Sequence, residues 1–148
     1  MKFSEVIGQQ DVKNRLMQMV TEQRVPHALL FCGPQGCGKL AMALAFASYL
    51  LGEREEENGS LETKRATSML SKWEHPDLHF TYPTIKLASM GDRAPVSLDF
   101  VKEWREMLLN EAAYPQINTW ISKMGKTSSD KDGNKQAIIT VEESEAIS

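Results

Sequence analysis

A short glycine-rich stretch, residues 33–40, holds the groups in this chain that are best suited to chemistry. It matches the phosphate-binding pattern G-x-x-x-x-G-K-[ST] at Gly33, Gly38 and Lys39. Small residues let backbone N–H groups surround an anion, and the lysine ammonium reaches the β- and γ-phosphates of a nucleotide. The predicted nucleotide-binding loop consists of Gly33, Pro34, Gln35, Gly36, Cys37, Gly38, Lys39 and Leu40.

The last position of this loop departs from the pattern, because Leu40 stands where serine or threonine is usual. The hydroxyl of that residue normally coordinates Mg²⁺, whereas a leucine side chain offers no atom to a cation. We therefore expect ATP or ADP to bind weakly and Mg²⁺ to be poorly held. The pattern predicts a site that holds a nucleotide without hydrolysing it, and we assign no catalytic residue and no metal ligand.

The segments on either side of the loop are those that a phosphate-binding loop requires. Residues 28–32 are an apolar run, which predicts a strand buried on both faces of a parallel sheet. Residues 40–51 are rich in alanine and leucine, which predicts a helix. In this order, the unpaired N–H groups and the positive dipole end of the helix face the phosphates.

The rest of the chain alternates in the same way. We predict helices at residues 9–24, at residues 61–73 and from Ser97 onward, strands at residues 77–82 and 137–141, and loops at residues 52–60 and 125–135. The first of these helices is expected to bury Val12, Leu16, Met19 and Val20. Strands that alternate with helices predict an α/β fold with a mostly parallel sheet, within one partial domain spanning residues 1–148.

The composition excludes several classes of protein. Of the 148 residues, 41% are hydrophobic and 25% are charged, as in a globular domain, and no apolar run is long enough to cross a membrane. A net charge of −3 argues against strong nonspecific binding of nucleic acid by this chain alone. Two cysteines in this length predict a reducing compartment, so we expect a cytoplasmic protein. We interpret Cys32 and Cys37 as small residues of a tight turn.

An active ATPase of this class also needs an acidic residue at a strand end, which holds Mg²⁺ and orders water. The nearest match is residues 138–143, but Thr140 interrupts the apolar run. We interpret this segment as a strand that leads into a helix with an acidic first turn. On this interpretation the chain is a fragment that stops before the true acidic motif.

Several of these stretches together resemble bacterial clamp-loader AAA+ subunits. The resemblance rests on Val6-Ile7-Gly8-Gln9, on residues 26–34, on Gly36-Cys37-Gly38-Lys39 and on His75-Pro76-Asp77-Leu78. Within the family, the chain is most similar to the delta prime subunit of the DNA polymerase III clamp loader, and the gamma/tau type is second. Leu40 fits the delta prime type better, because that type often does not hydrolyse ATP.

The resemblance implies a fold, a site and a set of partners. The fold is a RecA-like AAA+ P-loop domain. In the site, Val6, Ile7 and Gly8 match the family's segment near the adenine, and Lys39 matches the lysine that binds phosphate. The implied partners are the other clamp-loader subunits (gamma/tau and delta), a sliding clamp and primed DNA in replication, with no membrane involved.

Two other functions remain open on the sequence alone. The first is a catalytically active P-loop enzyme, such as a kinase or an ATPase, that tolerates Leu40. The second is a plain α/β domain whose glycine loop no longer binds a ligand. Turnover of ATP distinguishes the first from a binding module, and nucleotide binding distinguishes the second.

The zinc content of the purified chain tests one departure from the family. Related subunits often carry a four-cysteine zinc module after the phosphate-loop helix, whereas residues 52–69 contain no cysteine. Hydroxyl and charged side chains replace thiolates poorly as zinc ligands. We expect elemental analysis to find no zinc, and a stoichiometric amount would contradict this prediction.

Overall fold

The structure, a computed structural model, describes residues 1–52, 61–110 and 117–126, together with Ile139. Its α-helices in these ranges are α1 (Gln10–Thr21), α2 (Lys39–Leu50), α3 (Leu61–Leu70), α4 (Val101–Asn110) and α5 (Ile117–Lys126). Short 3₁₀ turns cover Phe3–Glu5, Ala88–Met90 and Ser97–Phe100. Contacts divide the chain into two compact units, residues 1–78 with 112–114, and residues 79–111 with 115–148.

The helices predicted for the first half of the chain are confirmed. α1 occupies most of the predicted range 9–24, α2 follows the glycine loop directly, and α3 begins at Leu61. Because α2 is apolar on every side, it is buried around most of its circumference. Each described helix has 12 residues or fewer, short of the about 20 that a bilayer crossing needs.

In the first unit, which also contains α3, the helix α2 contacts both α1 and the N-terminal 3₁₀ turn. The ring of Phe3 in the turn packs against that of Tyr49 in α2, with their centroids 5.5 Å apart. Helical spacing predicts that Val12 is buried, yet it is 38% exposed. Lys13 is buried beside it, because its ammonium donates a hydrogen bond to the Val6 carbonyl.

The strand predictions are not confirmed where the structure describes them. Residues 28–32 are irregular, and Leu30 within them is 87% exposed. An apolar run indicates burial rather than pairing, whereas a strand also needs a neighbouring backbone that completes its hydrogen bonds. Residues 1–52, 61–110 and 117–126 contain helices, turns and irregular segments, and no strand.

Residues 77–82 are likewise irregular, although their alternating pattern predicts a strand. The Leu78 amide donates to the His75 carbonyl at 3.1 Å, which closes a turn. The Tyr82 amide donates to the hydroxyl of Ser97, and the Tyr82 hydroxyl donates to the Ser97 carbonyl. Polar groups of this segment are therefore engaged by a turn and by a distant serine.

An aromatic cluster forms the core of the second unit. The rings of Tyr82 and Trp104 stack with centroids 4.3 Å apart, and Trp120 meets Tyr82 edge-on at 5.0 Å. The indole N–H of Trp120 donates to the Pro83 carbonyl at 2.7 Å, so this buried polar group is satisfied. The buried members of the core are Tyr82, Ile85, Phe100, Met107, Trp120 and Met124.

α5 is a helix that the sequence analysis does not predict, and its last residues, 125–126, fall where we predict a loop. The remainder of that loop lies outside the described residues, as do residues 53–60 of the other predicted loop. The predicted strand at residues 137–141 and the acidic candidate at 138–143 are described only at Ile139. The single partial domain spanning residues 1–148 stays a prediction.

A carboxylate holds the entry to α4. Asp99 accepts a hydrogen bond from the Val96 amide at 3.0 Å and another from the Arg93 guanidinium at 2.8 Å. The bond from Arg93 is the main reason that the pKa of Asp99 lies below its ordinary value. The hydroxyl of Ser97, where the predicted helix begins, accepts the Tyr82 amide, and Asp99 takes the capping role.

Asp99→Ala should destabilise the chain near neutral pH and have less effect in acid. Because the folded pKa is below the unfolded one, the stabilisation is complete above the unfolded pKa of about 3.9 and is lost as the pH falls through the folded value. We expect a loss of about 0.5–2 kcal/mol of unfolding free energy at pH 7, the range for a helix cap. Urea unfolding at pH 7 and at pH 3 measures it, with the exposed Asp92→Ala as control. Equal losses at the two pH values would contradict the account.

Candidate functional site

The predicted phosphate loop leads directly into α2, and Gly38 is the N-cap residue of that helix. Gly38 has φ +83° and ψ +21°, a left-handed conformation that glycine adopts without steric cost. The Met42 amide donates to the Gly38 carbonyl at 2.9 Å as the helix begins. The predicted succession of glycine loop and helix is confirmed.

The loop is tightly packed where it begins. A Cβ atom added at Gly33 would lie 2.7 Å from Cys37 Sγ, closer than real Cβ contacts allow. Cys37 is half-buried and Cys32 is exposed, and both are free thiols. The Cys37 side chain occupies the space beside Gly33, so a larger residue at position 33 would have to displace the thiol.

The ammonium of Lys39 bridges the beginning of the loop. Its Nζ donates to the carbonyl of Gly33 at 2.9 Å and to that of Pro34 at 2.6 Å, and it lies 3.8 Å from Cys37 Sγ. The side chain thus folds back across the loop and fixes the loop's shape. An ammonium has three N–H donors, and the third is directed at Cys37 Sγ, a weak acceptor that a phosphate oxygen would replace.

Backbone amides supply further donors at the same place. The Cys37 amide is directed at the Pro34 carbonyl, 3.4 Å away. Within the part of the chain that the structure describes, the amides of Gly36, Gly38 and Lys39 donate to no protein group. These amides, the lysine and the N-terminus of a 12-residue helix together suit an oxyanion.

The N-terminal segment Val6–Gly8 is tied to the loop by Gln9, a residue of the stretch behind the resemblance to which the sequence analysis assigns no role in the site. The side-chain amide of Gln9 donates to the Cys37 carbonyl at 3.2 Å. This contact joins two residues 28 positions apart, so no local pattern reveals it. The structure therefore brings the segment that the resemblance assigns to adenine next to the phosphate loop.

The residues of this segment differ sharply in exposure. Val6 is buried, and its carbonyl accepts a hydrogen bond from the Lys13 ammonium, whose residue is only 7% exposed. Ile7 is 88% exposed, and Gly8 has open space around it. Lys13 lies on the same helical face as Leu16, so its spacing was a signal that it faces inward.

The donor set of the site suits an anion and offers little to a metal. Leu40 is half-buried at the second position of α2 and has no oxygen ligand. Among the described residues, no cluster of histidine, cysteine, aspartate or glutamate is arranged to hold a metal ion. His75 instead accepts a hydrogen bond from the Asp77 amide at 3.2 Å.

Comparison with known families covers nearly the whole chain. A family model described as "DNA polymerase III, delta subunit" matches residues 8–147. The chain belongs to this family. It is a clamp-loader AAA+ sequence, and this confirms the prediction at the level of the family.

Curated relatives of this clamp-loader chain share a shorter stretch. Replication factor C small subunit 2 of Pyrobaculum islandicum is 48% identical over 56 residues, and small subunit 2 of Pyrobaculum aerophilum is 50% identical over 56 residues. The small subunit of Archaeoglobus fulgidus is 48% identical over 56 residues. Each match covers 38% of this chain and 17% of the relative, so the chain corresponds to a small part of those proteins. No solved structure matched.

Gly33→Ala should disturb the loop chiefly through the Cys37 thiol. The added methyl group would lie 2.7 Å from Sγ, and overpacking of this kind costs about 1–3 kcal/mol. In the Cys37→Ala background the sulfur is absent, so the same substitution should cost less. Urea unfolding of the four proteins gives the coupling, expected at about 0.5–3 kcal/mol for residues in contact. If the losses of unfolding free energy from the two single substitutions simply add in the double variant, the predicted contact between position 33 and Cys37 is contradicted.

Proposed function

We propose that this chain is the nucleotide-binding module of a DNA polymerase III clamp-loader subunit of the delta prime type. It binds ATP or ADP through the phosphates and does not hydrolyse ATP. The observation that carries the proposal is the loop itself, where Lys39 and unpaired amides present donors and Leu40 follows without a metal-binding hydroxyl. The family match supports the clamp-loader assignment.

The phosphates would take the donors that the protein leaves unused. Gly36, Gly38 and Lys39 each offer a backbone amide. The Lys39 ammonium would exchange its weak bond to Cys37 Sγ for a phosphate oxygen. The bonds to the Gly33 and Pro34 carbonyls keep this ammonium in place before a ligand arrives. Binding therefore requires little rearrangement, which lowers its entropic cost.

The base would lie toward the N-terminal segment. Ile7 presents an apolar side chain that is 88% exposed, and Gly8 leaves open space beside it. The Gln9 bond to Cys37 holds this segment close to the loop. The flat ring face of adenine packs favourably on such a side chain, so we assign Val6, Ile7 and Gly8 to the base.

Leu40 accounts for the absence of hydrolysis in this proposal. Phosphoryl transfer depends on a metal ion that bridges the β- and γ-oxygens and neutralises the charge that develops there. A half-buried leucine at this position supplies no ligand for that ion. The nucleotide then acts as a structural ligand of the subunit.

The surrounding fold and assembly follow from the family. We propose a RecA-like α/β domain with a mostly parallel sheet. The partners would be the gamma/tau and delta subunits, a sliding clamp and primed DNA. With a net charge of −3, contact with DNA is made through the complex, in the cytoplasm.

Nucleotide titration of Lys39→Ala and Leu40→Thr tests this proposal. Lys39→Ala should weaken ADP binding by about 1.5–3 kcal/mol, the value of a hydrogen bond to a charged group. Wild-type affinity should be nearly the same with and without Mg²⁺, since Leu40 provides no ligand. Leu40→Thr supplies the hydroxyl, so its affinity should rise when Mg²⁺ is added. Isothermal calorimetry measures each constant.

Two controls accompany the titration. Lys72→Ala removes an exposed positive charge far from the loop in sequence and should leave ADP binding unchanged. ATP turnover by the wild type should not exceed that of a protein-free sample. Turnover that disappears in Lys39→Ala would instead indicate an active ATPase, such as a gamma/tau-type subunit. Absence of ADP binding to the wild type would favour the alternative of a plain α/β domain whose glycine loop no longer binds a ligand.

A further inference from the structure

The peptide group between Cys37 and Gly38 joins two parts of the site. Its carbonyl accepts the hydrogen bond from the Gln9 side chain at 3.2 Å. Its N–H belongs to Gly38 and is one of the amides without a protein acceptor among the described residues. In a trans peptide the C=O and N–H bonds point in opposite directions, so an anchored carbonyl also fixes the direction of the N–H.

Gln9 is itself held firmly at the start of α1. Its backbone is left-handed, with φ +56° and ψ +37°, and its carbonyl accepts the Lys13 amide at 3.1 Å. The Lys13 side chain reaches back to the Val6 carbonyl on the other side. The side-chain amide of Gln9 is therefore presented to the loop from an ordered backbone.

We propose that Gln9 is a positioning residue for the nucleotide phosphates, which orients the Cys37–Gly38 peptide so that the Gly38 N–H faces the bound oxyanion. The inference rests on the proposed nucleotide site. A peptide whose carbonyl accepts a hydrogen bond is polarised and becomes a stronger donor at its N–H. Gln9 thus acts on the phosphates and makes no contribution to the base.

Gln9→Gly is the variant that isolates this role. It removes the side-chain amide, and glycine adopts the left-handed backbone of position 9 without strain. Gln10→Ala is the matched control, because Gln10 is also exposed and its side-chain amide donates to Asn14 Oδ1 at 2.9 Å on the helix surface. The probes are ADP and inorganic pyrophosphate, titrated by calorimetry against the full 148-residue chain.

We expect Gln9→Gly to weaken ADP and pyrophosphate by the same factor, roughly three- to tenfold, as for one lost hydrogen bond. Gln10→Ala should bind both probes within about twofold of the wild type, since a side-chain pair on a helix surface contributes little. In ¹⁵N–¹H spectra recorded without ligand, the Gly38 amide resonance should move in Gln9→Gly and stay in place in Gln10→Ala. A purely structural role of Gln9 in α1 would not move that resonance selectively.

The outcomes distinguish this inference from the proposed function. Unchanged pyrophosphate affinity in Gln9→Gly would overturn the inference, and a loss confined to ADP would do so too, because it would place Gln9 on the base side. An equal loss of affinity in Gln10→Ala would also overturn the inference, because it would show that the loss comes from a general disturbance of α1. If wild type binds ADP and Lys39→Ala does not, the proposed function stands whatever Gln9 does. If the wild type binds neither ADP nor pyrophosphate, the proposed function and the inference about Gln9 both fail.

Discussion

The site depends on the ammonium of Lys39, which donates to two carbonyls of its own loop. The distances of 2.9 and 2.6 Å to the Gly33 and Pro34 oxygens show that the loop is closed around the lysine. A cation in this position neutralises incoming phosphate charge and also fixes the backbone that must surround it. Replacing it would remove both effects at once.

The loop is also held from the N-terminal side. Gln9 reaches the Cys37 carbonyl, and Lys13 reaches the Val6 carbonyl, so a segment that precedes α1 and a loop that precedes α2 form one arrangement. A buried ammonium is tolerated only where it donates hydrogen bonds, and Lys13 meets this condition. The bond from Gln9 to Cys37 therefore links the start of α1 to the shape of the loop.

Features of the site that depend on local sequence were predictable. Gly38 predicts a turn, Lys39 predicts a phosphate donor, and the alanine- and leucine-rich residues that follow predict α2. Each of these signals lies within a few positions of the feature that it specifies. Gln9 was not predictable, since its partner is 28 residues away and a glutamine at a helix start is unremarkable in composition. The hydrophobic periodicity of a sequence does not predict pairwise tertiary contacts of this kind.

The strand predictions show the complementary limit. Residues 28–32 have the apolar run of a buried strand, yet a strand is completed by another backbone, and the run carries no information about which one. α5 was missed for a related reason, because its burial rests on Trp120 and Met124 packing into an aromatic core built by other segments.

A crystal structure of the chain with ADP tests the central claim, that this loop binds nucleotide phosphates without a metal. The account predicts a β-phosphate oxygen within hydrogen-bond distance of the Gly38 amide and of Lys39 Nζ. It predicts no metal ion coordinated beside Leu40. Phosphates bound elsewhere on the chain would contradict the account. A Mg²⁺ ion coordinated by residues of the loop would contradict it too.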